Sequence, residues 1–196
     1  MKQLLKMLGL VALVTTTVAC TDKIETKKGF GEICVNTNSS PKVSLKNVAT
    51  SDNTYTIEGL ALPTSGEFSL EIVSAADASK QSWNTITEFG SEKRYFAAGN
   101  YTLKVAHGNP EVEGFDIAPY FVGEQTISVE PRKTTKAVVP AHIVHSLVAV
   151  ECTPLFNSYF SSATFKVTTL AGGEFDVELP MNKNLFIRPQ QFAIEC

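Results

Sequence analysis

Ala98-Gly99-Asn100-Tyr101-Thr102-Leu103-Lys104-Val105-Ala106 carries the pattern on which the fold turns. Gly99-Asn100 tolerates the positive φ of a tight turn. Beyond it, Tyr101, Leu103 and Val105 share one parity, and Thr102 and Lys104 share the other. A period of two marks a strand with one buried face, so Tyr101, Leu103 and Val105 are core candidates. The same alternation runs through Phe68 to Ile72, Thr126 to Val129, Phe165 to Thr168 and Phe175 to Leu179. Turn residues separate these runs: Pro63-Thr64-Ser65-Gly66, Gly108-Asn109-Pro110, Glu130-Pro131 and Ala171-Gly172-Gly173, the last a hairpin signal. Past the N-terminal segment no stretch of a dozen residues keeps a period of 3.6, and the one candidate for a short helix is Ala75 to Trp83.

The expected fold class is therefore all-β: an antiparallel β-sandwich, transthyretin- or immunoglobulin-like, with a second, smaller β unit. Pro140 interrupts the β-rich run from Thr134 to Cys152, and proline inside a strand pattern reads as an edge or a break. This places the sandwich at residues 29–145 and a smaller C-terminal β unit at 146–196, which is short for a closed sandwich and either packs on the first or marks a shortened member of a longer design.

The N-terminus reads differently. Lys2 and Lys6 precede a short apolar run, Leu4 to Val14, and Thr17-Val18-Ala19 then presents small residues to Cys20. That order is a secretory signal peptide over residues 1–19. A small residue before a cysteine at the cleavage point resembles a bacterial lipobox, with Thr17 standing where leucine is commonest. Cys20 would then be the lipidated first residue of the mature chain, and the polar residues 20–28 its tether to the membrane. A spanning helix is the weaker reading, because the apolar run is well short of the ~20 residues a bilayer requires.

Removal of residues 1–19 takes two lysines and no acid, leaving 15 basic against 20 acidic residues. A mildly acidic chain whose longest basic cluster is Lys27-Lys28 gives nucleic-acid binding no support. Besides Cys20 there remain Cys34, Cys152 and Cys196, read as buried or half-buried thiols. Their strands place Cys34 opposite the apolar face and Cys152 on it, which disfavours a Cys34–Cys152 bridge. His142 and His145 point to opposite faces of a strand, so no metal site is expected. Glu111, Glu113 and Asp116 crowd one loop and read as a solvated acidic turn rather than a calcium loop. Glu174, Asp176 and Glu178 share one strand face and read as its solvated side. No nucleophile elbow, phosphate loop or zinc-protease motif is present. The chain reads as non-catalytic, with no cofactor.

The run Ala98 to Ala106, followed by His107-Gly108-Asn109-Pro110, Gly114-Phe115-Asp116 and Pro119-Tyr120-Phe121-Val122-Gly123, resembles the repeat core of the Bacteroidales lipoprotein family called domain of unknown function 4493. Gly29 to Val35, Val148-Ala149-Val150 and Tyr159-Phe160-Ser161 fit the same pattern in order. The resemblance implies a cell-envelope lipoprotein, distantly similar in architecture to two-domain fimbrillin-like sandwiches, and it supplies no catalytic residue.

Two residues stand out as candidate ligand contacts. Trp83, the only tryptophan, lies in a polar segment where its ring either stacks on a sugar or folds back on the core. Tyr120, held at a bend between Pro119 and Gly123, either caps the sandwich or meets a ligand. The expected function is a non-catalytic lipoprotein of the outer membrane that binds a glycan or an envelope protein partner. The alternative is a fimbria-associated anchor or adhesin subunit assembling by strand addition.

Overall fold

The computed structural model describes residues 29–44 and 54–196. In chain order the elements are β1 (Phe30–Ser39), β2 (Lys42–Ser44), β3 (Thr54–Thr56), a 3₁₀ turn at Ser65–Glu67, β4 (Ser69–Ser74), β5 (Lys80–Trp83), α1 (Ile86–Gly90), β6 (Tyr95–Ala97), β7 (Gly99–His107) and β8 (Gly114–Phe115). There follow β9 (Phe121–Val129), β10 (Thr134–Ile143), β11 (Ser146–Val148), α2 (Pro154–Tyr159), β12 (Thr164–Thr169), β13 (Glu174–Glu178), β14 (Leu185–Ile187) and β15 (Phe192–Glu195). The described chain is all-β, as the alternation predicts.

Seven strands form one sheet in the order β5-β4-β7-β9-β10-β1-β6. Strand β10 joins its two limbs. Residues Thr134 to Ala141 run parallel to Glu32 to Ser39 of β1, and then His142 and Ile143 pair antiparallel with Val122 and Phe121 of β9. At that change of partner the sheet curls into a sandwich, a device that lets one strand serve two layers. The inward side chains of both limbs fill one core, with Ile33, Val35 and Val139 on one side and Leu70, Leu103 and Phe121 on the other. Tyr101 and Val105 join them, as their parity predicts.

Three expectations are corrected. The β1–β10 pair is parallel, so the sandwich is not antiparallel throughout. Pro140 does not break the run, because β10 continues through it to Ile143; with no N–H to donate, Pro140 stands where the strand exchanges one neighbour for the other. Finally, Ala75 to Trp83 is no helix but the β4–β5 hairpin. Asp77 Oδ1 accepts from the Ser79 N–H at 3.0 Å and from its hydroxyl at 2.8 Å, while Ala78 takes a φ of 56°. That local bonding closes a turn, and Trp83 then pairs with Leu70. The helices that do form are short. Thr85 and Thr153 cap them by accepting the N–H of Glu88 and Phe156, and Pro154 opens the second.

Residues after β10 build a smaller unit from two three-stranded sheets, β11-β14-β8 and β13-β12-β15. Its core is Val148, Val167, Val177, Leu185 and Ile187. Strand β8 belongs to the loop between β7 and β9, so Phe115 crosses over to pack in this second core. The Ala171-Gly172-Gly173 turn closes the β12–β13 hairpin, with Thr169 N–H donating to the Gly173 carbonyl and Gly172 at a φ of 86°. Glu174, Asp176 and Glu178 lie on its exposed face.

A Cβ built on Gly123 would overlap the Pro140 carbonyl oxygen and come within 3.0 Å of Val105 Cγ2. Gly123→Ala should therefore force the two limbs apart at a cost of roughly 2 kcal/mol, comparable with the ~3 kcal/mol expected for emptying the fully buried Leu103 site in Leu103→Ala. Lys104→Ala, on the outward face, should cost little. Urea denaturation of the three variants checks the ranking, and an unperturbed Gly123→Ala would contradict the close approach.

Candidate functional site

The outward face of the β5-β4-β7-β9 limb is not uniform. Its residues line up in cross-strand rows set by the register. One row is Ser82, Glu71, Lys104 and Glu124, and the next is Ser69, Ala106, Val122 and His142. The first row is tall and charged: Lys104 Nζ lies 3.9 Å from Glu124 Oε2, and Lys80 Nζ lies 3.8 Å from Glu71 Oε1. The second is low in its middle, where Ser69, Ala106 and Val122 are small. Beyond it, at the start of β9, stands Tyr120. A low row between two tall flanks is a groove running across the strands, and the cavity along it measures about 760 Å³.

Trp83 and Tyr120, singled out separately in the sequence, both line this groove. Neither is a freely exposed platform. Trp83 is half-buried against the core, edge-on to Phe89 with centroids 4.8 Å apart, and the Arg94 guanidinium lies 5.4 Å from its ring centre. Paired with the buried Leu70, Trp83 has the core-facing parity of β5 and borders the groove only at that end. Tyr120 is half-buried too, while its neighbour Phe121 is the aromatic that enters the core. His142 stands exposed at the β10 end. The low row and the carboxylates Glu71 and Glu124 were not singled out in the sequence. Each reads there as an ordinary solvent-facing strand residue, and only the register of four strands brings them together.

The loop that carries Tyr120 is held from below. Glu113, with its side chain only 7% exposed, accepts from the Thr169 hydroxyl at 3.0 Å, the Arg188 N–H at 2.9 Å and Gln190 Nε2 at 2.7 Å. Asp116 Oδ1 accepts the Asn184 N–H at 3.0 Å, and Glu111 pairs with Arg188 Nη1 at 2.6 Å. The expected solvated acidic turn is thus corrected at Glu113, whose side chain is buried; Glu111 and Asp116 stay exposed, and all three accept from donors of the smaller unit in a clasp. His145 is buried beneath the same loop. Its Nδ1 accepts the Tyr120 N–H at 3.0 Å, which leaves the proton on Nε2, 3.4 Å from the Pro110 carbonyl oxygen.

The cysteines depart from the expected set of buried or half-buried thiols. Cys152 is half-buried and Cys196 exposed, both free, so no Cys34–Cys152 bridge forms. Cys34 is buried and disulfide-bonded. The signal peptide, Cys20 and the tether lie outside the described residues.

The family model described as a domain of unknown function (DUF4493) matches residues 29–192, which takes in both cores, the groove and the clasp. The chain belongs to the domain of unknown function 4493 family. No curated protein and no solved structure matches the chain. Within this family member, then, the groove and the clasp must be read from their own chemistry.

That chemistry fixes a pH response. Burial alone would raise the Glu113 carboxyl, but its hydrogen bonds to Arg188, Thr169 and Gln190 outweigh burial and hold it below the ordinary 4.5. Burial pushes the His145 imidazole below 6.5 against smaller opposing effects from Pro110 and Glu113. Both depressed values mean that the unfolded chain binds protons more readily than the folded one, so both contributions are full at neutral pH and decline as pH falls. Stability should drop first below about pH 6.5 as His145 resists charging, and again below about 4.5 as Glu113 is protonated. Glu113→Gln should destabilise the protein at pH 7 and reduce the lower step, to which Glu67 and Asp77, also held below their ordinary values by hydrogen bonds, continue to contribute, as read by melting temperature against pH. An unchanged acid limb in that variant would refute the clasp.

Proposed function

We propose that this protein is a lipid-anchored protein of the outer membrane, tethered through Cys20, which captures an extended ligand in the transverse groove and does not turn it over. The favoured ligand is a glycan, ahead of a partner protein. What supports the binding reading is the single observation that one groove floored by small side chains is bordered by Tyr120 along its side and by Trp83 at its β5 end. Half-buried aromatics with a polar rim suit recognition in which the ligand keeps much of its hydration.

A second reading, assembly by strand addition, is favoured by β15. Phe192 and Ile194 pair opposite Thr169 and Val167, whose side chains are buried, yet are themselves 44% and 46% exposed. An apolar edge strand of this kind is suited to accept a further strand.

Cys20→Ala should abolish labelling by a fatty-acid analogue and move the protein from the membrane to the soluble fraction. Persistent membrane association would refute the anchor. For the groove, Ala106→Trp fills the floor from the outward face. It should block ligand capture on a glycan array without lowering the melting temperature, and undiminished capture would place the ligand elsewhere.

A further inference from the structure

We infer that the groove is selective for an uncharged oligosaccharide chain, with Glu71 and Glu124 as its hydroxyl acceptors; this rests on the binding reading above and narrows it to one ligand class.

The first support is length. From Trp83 at the β5 end to His142 on β10, the groove crosses five strands in sheet order β5-β4-β7-β9-β10. Four inter-strand steps of ~4.8 Å give a span of roughly 19 Å. One sugar ring cannot touch both ends, so a ligand that does is a chain of several rings.

The second support separates a sugar chain from an extended peptide. Where β4, β7 and β9 pair along the floor, their main-chain groups face one another across the ladders. A peptide laid across the strands would find no sheet edge to pair with, and its own N–H and C=O groups would be left short of partners. Sugar hydroxyls donate and accept through side chains alone, and a carboxylate is the strongest neutral-ligand acceptor on this surface.

The third support is charge. Among the described groove residues Lys104 is the one lysine or arginine, and its ammonium already faces Glu124. Glu71 is matched by Lys80 in the same way. These exposed pairs are loose, and the carboxylates keep lone pairs for ligand hydroxyls. A uronate or sulfate would instead approach two carboxylates with both nearby ammonium groups engaged.

Affinity electrophoresis of the full mature chain tests this with mixed-linkage β-glucan, xylan and mannan as neutral probes, polygalacturonate and a sulfated galactan as anionic ones, and a random peptide library as a competitor. At least one neutral polysaccharide should retard the protein and neither anionic one should. The double variant Glu71→Gln, Glu124→Gln should weaken that retardation about tenfold, the loss expected for hydrogen bonds to charged acceptors, with the melting temperature unchanged. Preferential binding of polygalacturonate overturns the inference and leaves the groove reading standing. So does full affinity in the double variant when Ala106→Trp abolishes it. Displacement of the polysaccharide by the peptide library overturns the inference and leaves the groove reading standing, and binding of none of the probes overturns both.

Discussion

The architecture depends on one strand having to satisfy two neighbours. Strand β10 gives its first eight paired residues to β1 and its last two to β9, and the two sheets can share it only if they come very close where the exchange occurs. Gly123 supplies that closeness, because the Pro140 carbonyl occupies the space any side chain at 123 would need. Pro140 stands on the same crossing with no N–H to leave unpaired. Once the limbs are drawn together, Val139 and Ala141 face the same core as Val105 and Phe121. The two residues just past the crossing are committed to β9, and His142 is thereby set at one end of the groove.

The same loop links groove and smaller unit. Between β7 and β9 the chain leaves the sandwich, pairs as β8 with β14, places Phe115 in the second core and anchors Glu113 among Thr169, Arg188 and Gln190. It then returns through Tyr120, whose backbone N–H is fixed by the buried His145. The wall of the groove that Tyr120 provides is therefore positioned by residues some 50 to 75 places further along the chain. This gives the smaller unit a role beyond its own fold: with a core of five buried residues, it braces the loop that shapes the groove.

What was legible in the sequence was local. Alternation identified Tyr101, Leu103 and Val105 as core, because parity in a strand follows directly from a period of two. The hairpin at Gly172 was equally readable. Pro140 misled, because a missing N–H is compatible with a strand's interior when that strand is changing partners, and partner exchange leaves no mark in composition. Ala75 to Trp83 misled for a related reason: the bonding of Asp77 to Ser79 decides for a turn, and such side-chain competition outweighs weak helical propensity over so short a run. The acids of the 111–116 loop looked solvated because their donors, Thr169, Asn184, Arg188 and Gln190, are remote in sequence. Trp83 and Tyr120 were visible as candidates, but their meeting in one groove follows from the register of β4, β7 and β9 alone.

Register also explains why the groove lies where it does. Reading outward residues row by row across β4, β7 and β9 gives Val73, Thr102 and Thr126, then Glu71, Lys104 and Glu124, then Ser69, Ala106 and Val122. Side-chain length rises to the charged row and falls sharply at the next. The charged row keeps its height because lysine and glutamate alternate, so neighbours attract rather than splay. The low row places Ala106 and Val122 on a face that, Val73 apart, carries polar residues, and both remain partly accessible. A strand that needed only solubility would carry lysine, glutamate or threonine at these positions. A one-residue slip in either ladder would break the row and turn the core residues outward, so the energy that enforces the core register also enforces the groove. The groove is in that sense an outward copy of the packing constraint within.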